Sequence, residues 1–212
     1  MERLVDNQDI NKELPLGAIH CYWREFCNGS EFNDPKLYLN APPQRWILLR
    51  FFINRFFPDK DIKILEIGSS VGRNLDLLLK DGFNNLTGVE INPISIEYME
   101  KYFPELNEKI TIYQSSIENC IKLFSDNQFD LVFTMAVLEH IHPDSEWIFK
   151  EIARITKGLI TIEDEKNTNQ RVFKRNYFDI FSKFGMEQKV ECNLEDLKDD
   201  DFYGFMCRVF IK

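Results

Sequence analysis

"ILEIGSSVGRNLDLLL", residues Ile64 to Leu79, joins a run of strand-forming residues to a leucine-rich stretch through two glycines, two serines and a valine. "IKILEI" (62–67) is short, apolar and bounded by charge and glycine, as expected of a strand buried on both faces. "NLDLLLKDGF" then carries leucines at helical spacing and stops at Gly82. The junction reads as one βα unit. Gly68 permits a sharp turn directly off the strand, Gly72 permits close approach at the start of the helix, and the backbone N–H groups between them can face a ligand. Glu66 would be costly if it pointed into the core without a partner, so it is expected to face a ligand cleft and accept hydrogen bonds from the turn or from a cation.

Outward from this unit the pattern repeats. "NLTGVEI" (85–91) reads as a second strand, "PISIEYMEKYF" (93–103) as a helix with proline in its first turn, and "KITIYQ" (109–114) as a third strand. "QFDLVFTM" (128–135) is a fourth strand, "DSEWIFKEIARI" (144–155) a helix capped by Asp144, and "KGLITIED" (157–164) a fifth strand. Such alternation predicts parallel strands joined by right-handed helical crossovers, with ligands bound beyond the carboxyl ends of the strands. After an amphipathic helix at "RNYFDIFSKFG" (175–185), "MEQKVECNL" and "FYGFMCRVFIK" are separated only by the acidic "EDLKDDD", too short for a helical crossover, which predicts a closing antiparallel pair. In the first sixty residues, "QRWILLRFFINRFF" (44–57) is a helix, Pro42 and Pro43 punctuate the chain, and the segment holding Tyr22, Trp23 and Tyr38 is expected to cap the sheet edge.

Composition bounds the function. A chain of 212 residues that is 44% hydrophobic and 14% aromatic buries one sizeable core, and no repeat or linker divides it. A net charge of −9 argues against general electrostatic binding of nucleic acid, which needs a basic surface to displace counterions. Cys21, Cys27, Cys120, Cys192 and Cys207 are odd in number and form no CxxC pair, so neither a disulfide framework nor a zinc site is expected. The charged start "MERLVDNQDINKEL" lacks the apolar core of a signal peptide, and no stretch is apolar enough to span a bilayer, which points to a soluble cytoplasmic protein.

Glu90, about 20 residues beyond the turn, sits where an acidic side chain takes both hydroxyls of a ribose. As a cleft-facing residue at a strand end it is not expected to hold the core together. A dinucleotide site would share that acid, but its fingerprint is GxGxxG, whereas "GSSVG" lacks the middle glycine and follows an acidic residue. "LEIGSSVGRN", "GVEINP" and "FDLVFTMAVLEHI" together resemble the class I S-adenosylmethionine-dependent methyltransferases, particularly their small-molecule branch, over roughly residues 60 to 165. The closing antiparallel hairpin is similar to that family's last strands. The resemblance implies an α/β, Rossmann-like doubly wound sheet in a single domain over 1–212, with 1–58 as a helical cap or lid and 59–212 as the core.

The family's first motif is ExGxGxG, and Ser70 stands at its middle glycine. By resemblance Gly68, Ser69 and Gly72 would line the methionine portion of S-adenosyl-L-methionine, Glu66 would organise the turn, and Arg73 and Asn74 would open the helix beside it. Glu90 would hold the ribose and Ile91 would lie against the adenine. Ser116 occupies the place of an acid that accepts from the adenine amino group, with the Ile117 backbone beside the ring edge; a helix N-cap is the alternative role for Ser116. Thr134 and Met135 would lie closest to the methyl donor.

Methyl transfer from a sulfonium is an in-line displacement that needs alignment and a free nucleophile. His140, just past strand four, could accept the proton of a hydroxyl or amine as methylation proceeds; the alternative is a structural histidine. His142 is a weaker candidate, and His20 belongs to the irregular N-terminal segment. No Asn-Pro-Pro-Tyr type of motif is present, which with the acidic charge favours a small-molecule acceptor. Tyr22, Trp23, Tyr38 and Trp46 could form an aromatic lid, although aromatic residues are more often core. The basic stretch "RVFKRNYF" (171–178) hints at an anionic acceptor. Two other classes stay open, a nicotinamide-dependent oxidoreductase and an S-adenosylmethionine-binding module without turnover.

Overall fold

The computed structural model describes residues 14–40, 44–197 and 204–212. The Pro-Pro pair, the charged N-terminal stretch up to residue 13 and the acidic "KDDD" run (198–201) lie outside the described residues. Seven strands form one sheet: β1 (Lys63–Ile67), β2 (Asn85–Glu90), β3 (Thr111–Gln114), β4 (Leu131–Met135), β5 (Gly158–Asp164), β6 (Glu187–Asn193) and β7 (Phe205–Ile211). Their order is β3-β2-β1-β4-β5-β7-β6. The first five strands are parallel, and β7 runs antiparallel to both β5 and β6. The expected closing hairpin therefore forms, but its second strand inserts beside β5 and leaves β6 at the edge.

Nine α-helices are described: α1 (Leu16–Cys21), α2 (Pro35–Tyr38), α3 (Gln44–Phe56), α4 (Arg73–Lys80), α5 (Pro93–Tyr102), α6 (Pro104–Lys109), α7 (Ile117–Cys120), α8 (Trp147–Ile155) and α9 (Tyr177–Ser182). The two faces of the sheet carry separate apolar clusters. Leu65, Ile67 and Val132 point toward α8 and α9, where Ile148, Phe149, Ile152 and Phe181 are buried. Ile64, Phe133 and Ile160 point to the other face, against Leu49 and Ile53 of α3 and Leu75 and Leu78 of α4. This is the period-2 alternation of a strand covered on both sides, and it places Glu66 on the Ile64 face, over α4. All seven residues of β5 are buried, as its near-central position requires.

Three local expectations are corrected. Asp144 does not cap the helix after β4; a 3₁₀ turn (Pro143–Ser145) intervenes, the His142 ring accepts from the Asp144 N–H at 3.1 Å, and α8 starts only at Trp147. Pro104 starts a further helix, α6, directly after α5, where sequence periodicity showed none. The segment with Tyr22, Trp23 and Tyr38 covers the carboxyl ends of the central strands and not a sheet edge. It is tied there by polar contacts across the chain: His20 Nε2 lies 3.1 Å from Glu118 Oε1, and Asn92 Nδ2 donates to Asn28 Oδ1 at 2.9 Å and approaches Cys27 Sγ at 3.1 Å.

Candidate active site

The turn from β1 to α4 is built on three residues with left-handed backbone: Gly68 at φ 75°, Ser70 at φ 47° and Gly72 at φ 77°. Serine thus stands at the family's middle-glycine position in a conformation natural to glycine, at a strain of roughly 1–2 kcal/mol. A hydrogen bond offsets it, because the Ser70 N–H donates to Glu90 Oε2 at 2.7 Å. The two glycines serve different ends. A Cβ on Gly68 would fall 2.4 Å from Val137 Cγ2, so this glycine lets the turn pass under the loop after β4; a Cβ on Gly72 would meet Met99 at 2.7 Å. Gly72 accordingly packs against α5 and does not line the cavity described next.

A cavity of about 720 Å³ opens over the carboxyl ends of β1, β2 and β4, within the usual size range of small-molecule sites. Of the residues singled out in the sequence, Glu66, Gly68, Ser69, Arg73, Asn74, Glu90, Ile91, Ser116, Ile117, Met135 and His140 line it. Thr134 does not. It is fully buried in β4 beside Glu163, one residue short of the strand's open end. Trp23, Tyr38 and Trp46 also line the cavity, with Trp46 packed into the core as well, whereas Tyr22 stacks under the Arg171 guanidinium at 4.0 Å.

The two carboxylates at the strand ends differ. Glu66 Oε1 accepts from Asn74 Nδ2 at 2.8 Å, while its Oε2 has no partner among the described residues. Burial, and to a lesser degree the nearby Glu90, push its pKa up to about 8. Glu90 is also raised by burial, but backbone N–H groups counter the effect: Ser70 N–H donates to Oε2 and Asn92 N–H to Oε1, both at 2.7 Å. Glu90 therefore holds the glycine turn in place, a structural part not expected from a cleft-facing residue. Each of its oxygens keeps a second lone pair for a ligand hydroxyl. Ser69 Oγ and Ser116 Oγ are buried and unpartnered among the described residues. Ser116 precedes α7 but its side chain caps nothing, so the N-cap alternative is not realised.

Past β4, a 3₁₀ turn (Leu138–His140) carries the "LEH" residues. Glu163, at the end of β5, holds that turn by accepting from the Val137 and Leu138 N–H groups, both at 2.8 Å. Burial raises the pKa of Glu139 and of Glu163, and the closeness of the two favours one shared proton, carried by Glu139. His140 Nδ1 lies 2.8 Å from the Arg171 carbonyl, which can only accept, so Nδ1 carries the hydrogen and Nε2 keeps its lone pair. Burial lowers the His140 pKa to about 4, leaving a neutral imidazole near pH 7. The basic stretch 171–178 is engaged elsewhere: Arg175 Nη2 donates to the Ile141 carbonyl at 2.7 Å and pairs with Glu146, and Arg73 is the one Arg or Lys among the described residues that lines the cavity.

Sequence reading missed Asn92, Glu139 and Glu163. The Asn-Pro pair at 92–93 signalled a helix cap, and Asn92 Oδ1 accepts from the Ile94 N–H at 2.9 Å. The carboxylates ending "LITIED" repeat the device of Glu66, an acid closing an apolar strand, and could have been read by the same argument.

Residues 65–159 match a family described as a methyltransferase domain. Among curated relatives, a ubiquinone biosynthesis O-methyltransferase of Rickettsia bellii (strain OSU 85-389) is 30% identical over 111 residues, which are 52% of this chain and 45% of that protein. A 2-methyl-6-phytyl-1,4-hydroquinone methyltransferase of Synechocystis is 26% identical over 119 residues, 55% of this chain and 36% of that protein. The chain thus spans about half the length of the curated relatives it matches, or less. Solved structures of similar fold include a magnesium protoporphyrin IX methyltransferase from Synechocystis, with TM-score 0.65, 13% identity and 80% and 82% of the two chains covered. A Burkholderia thailandensis 1,6-didemethyltoxoflavin-N1-methyltransferase gives TM-score 0.62 at 15% identity, covering 83% and 80%. The matched segment contains the glycine turn, the acid ending β2 and the turn after β4, and over these residues the chain is similar to methyltransferases.

Proposed function

We propose that this chain transfers a methyl group from S-adenosyl-L-methionine to oxygen or nitrogen of a small-molecule acceptor. The observation that carries the reading is one cavity at the strand carboxyl ends lined together by Glu66, Ser69, Glu90 and Ser116, of whose side-chain oxygens Glu66 Oε2, Ser69 Oγ and Ser116 Oγ are buried and unpartnered among the described residues. Buried polar atoms of this kind call for a polar ligand. Glu90 would take the ribose hydroxyls, Ile91 and Ile117 would enclose the adenine with Ser116 at its edge, and Arg73 would meet the methionine carboxylate. When bound, the sulfonium supplies an electrophilic methyl. The rest is positioning: residues of the N-terminal cap help line the cavity, and His140 Nε2 would accept the acceptor's proton. A pKa of about 4 makes imidazole a weak base, but that proton grows acidic as the new bond to carbon forms, so transfer late in the displacement suffices.

The hydroquinone methyltransferase of Synechocystis and the ubiquinone biosynthesis O-methyltransferase of Rickettsia bellii among the relatives support a small organic acceptor, and the net charge of −9 disfavours nucleic acid. With Arg171 and Arg175 engaged elsewhere, an anionic acceptor would have to share Arg73 with the donor. No helix among the described residues is long and apolar enough to cross a membrane. Five free thiols fit a reducing compartment such as the cytoplasm. The nicotinamide reading is weaker, because the usual dinucleotide order 3-2-1-4-5-6 has no antiparallel strand inserted beside β5. A thermal-shift comparison tests the proposal: S-adenosylhomocysteine should raise Tm by mass action and NADH should not, and the reverse result would overturn it.

A further inference from the structure

The walls of the cavity divide by chemistry. The strand ends supply the acids and serines that would hold the cofactor, whereas the cap segment, residues 14–40, supplies Ile19, Trp23, Phe32, Leu37 and Tyr38. That segment also carries five charged residues, Arg24, Glu25, Glu31, Asp34 and Lys36, and none of them lines the cavity. Phe32 and Leu37 line it although Glu31 and Lys36 directly precede them. Both are open to solvent as well, Phe32 being 76% and Leu37 49% exposed. The apolar lining therefore runs without a break in character from buried residues, Ile19 and Trp46, to exposed ones at the mouth. Phe51 and Leu123 are exposed too, but they do not line the cavity and need no explanation beyond the ordinary apolar content of a protein surface.

We propose that the methyl acceptor is an amphiphile: its reacting head lies inside the cavity, and a hydrocarbon chain leaves along Phe32, Leu37 and Tyr38. The inference rests on the methyl-transfer reading and deepens it by naming the acceptor's class. A compact acceptor would be enclosed by the buried walls and would gain nothing from apolar side chains at the mouth. A chain that passes from Ile19 and Trp46 out to Phe32 removes its own surface and theirs from water. Exposed apolar surface continuous with a cavity marks a place that a ligand covers. A lipid surface or a second copy of this chain would rest on Phe32 and Leu37 from outside and leave the inner apolar wall unfilled, whereas an acceptor's chain covers both. Charge agrees with this occupant. An ionic tail, such as a phosphate or a nucleotide, would find no Lys or Arg of the cap in the lining, and Arg73 is engaged by the donor's carboxylate in the proposed function.

The test uses the full chain saturated with S-adenosylhomocysteine and titrated calorimetrically with two homologous series, 4-n-alkylphenols and 4-n-alkylanilines from methyl to hexyl, kept below the concentrations at which they self-associate. Two heads are used so that the result does not depend on whether oxygen or nitrogen reacts. In at least one series Kd should fall by about two- to fourfold for each added CH₂. The double variant Phe32→Gln/Leu37→Gln should flatten that dependence while the methyl homologue and S-adenosylhomocysteine bind as before, and Phe51→Gln, an exposed aromatic outside the lining, should leave it intact. Cofactor affinity reports that each variant is folded, and either single substitution serves where the double one fails this check. Absence of any chain-length dependence in both series, or an equal dependence in wild type and double variant, would overturn the assignment. So would phosphatidylcholine vesicles that retain the wild type and release the double variant while the chain-length dependence is unaltered, since the face would then be a membrane contact. A protein that takes up no S-adenosylhomocysteine would overturn the methyl-transfer reading and this one with it, and the cofactor titration made before any probe is added distinguishes that failure.

Discussion

Glu66→Gln should make the free protein more stable, and increasingly so as the pH rises. Glu66 is 2% exposed, and burial lifts its pKa from 4.5 to about 8. Between those values the folded chain holds a proton that the unfolded chain has released. A group raised in the folded state contributes fully below its unfolded pKa and less as pH climbs, so this contribution declines from about pH 4.5 and levels off above about 8. At pH 7 the decline amounts to about 3 kcal/mol, taking ~1.4 kcal/mol per unit. Glutamine is neutral throughout, nearly the same shape, and still offers an oxygen to Asn74 Nδ2. The stability difference between variant and wild type should therefore be small at pH 4.5 and grow to about 2–3 kcal/mol at pH 7. Urea denaturation of both proteins at pH 4.5, 6, 7 and 8.5 measures it, and the carboxyls that do not interact with Glu66 cancel in the comparison. A difference that does not change with pH would refute the argument, because it would mean that Glu66 is ionised in the folded chain or exposed to water.

Glu90→Ala should weaken S-adenosylhomocysteine binding by about 10- to 150-fold in calorimetric titration, through loss of charge-assisted bonds to the ribose. It should also lower the stability of the free protein by about 1–3 kcal/mol, since the Ser70 and Asn92 N–H groups lose their acceptor. His140→Ala should reduce turnover of a phenolic acceptor by roughly 10²-fold at unchanged cofactor affinity, and equal turnover would make the histidine purely structural. Gly68→Ala forces a side chain into left-handed backbone 2.4 Å from Val137 Cγ2, and should cost about 2 kcal/mol or more in chemical denaturation; a neutral result would show that the loop after β4 moves aside freely.

The parts of the fold that were legible in the sequence are those fixed by local pattern. "IKILEIGSS" reads as strand and turn because burial on both faces leaves a continuous apolar run, and the acid that breaks the run marks the strand's open end. The insertion of β7 between β5 and β6 was not legible: both candidate strands alternate in the same way, and nothing local says which of them neighbours β5. In the site, Glu66 was singled out by the cost of burying an acid in an apolar strand and Glu90 by its spacing from the glycine turn, whereas Ser116 came from the family resemblance alone. Thr134 was misplaced because it lies one residue short of the strand end and is covered there beside Glu163, so that of the two Met135 alone reaches the cavity. Trp23 could be named as an aromatic of the irregular segment, but its contact with His140 joins residues over a hundred positions apart and exists only in the folded chain.

The place of β7 has a consequence for how the chain assembles. Among the described residues β6 pairs only with β7, and β5, buried at all seven of its residues, has β7 as its second neighbour. Until residues 205–211 are made and docked, β6 has no strand to join and β5 presents an open hydrophobic edge. Order of synthesis and order of pairing therefore differ, and the last strand closes the gap from within the sheet. Any nascent or clipped form that ends before Phe205 would expose a long apolar edge of the kind that recruits other chains, so damage at this distance from the catalytic cavity should appear first as aggregation during synthesis.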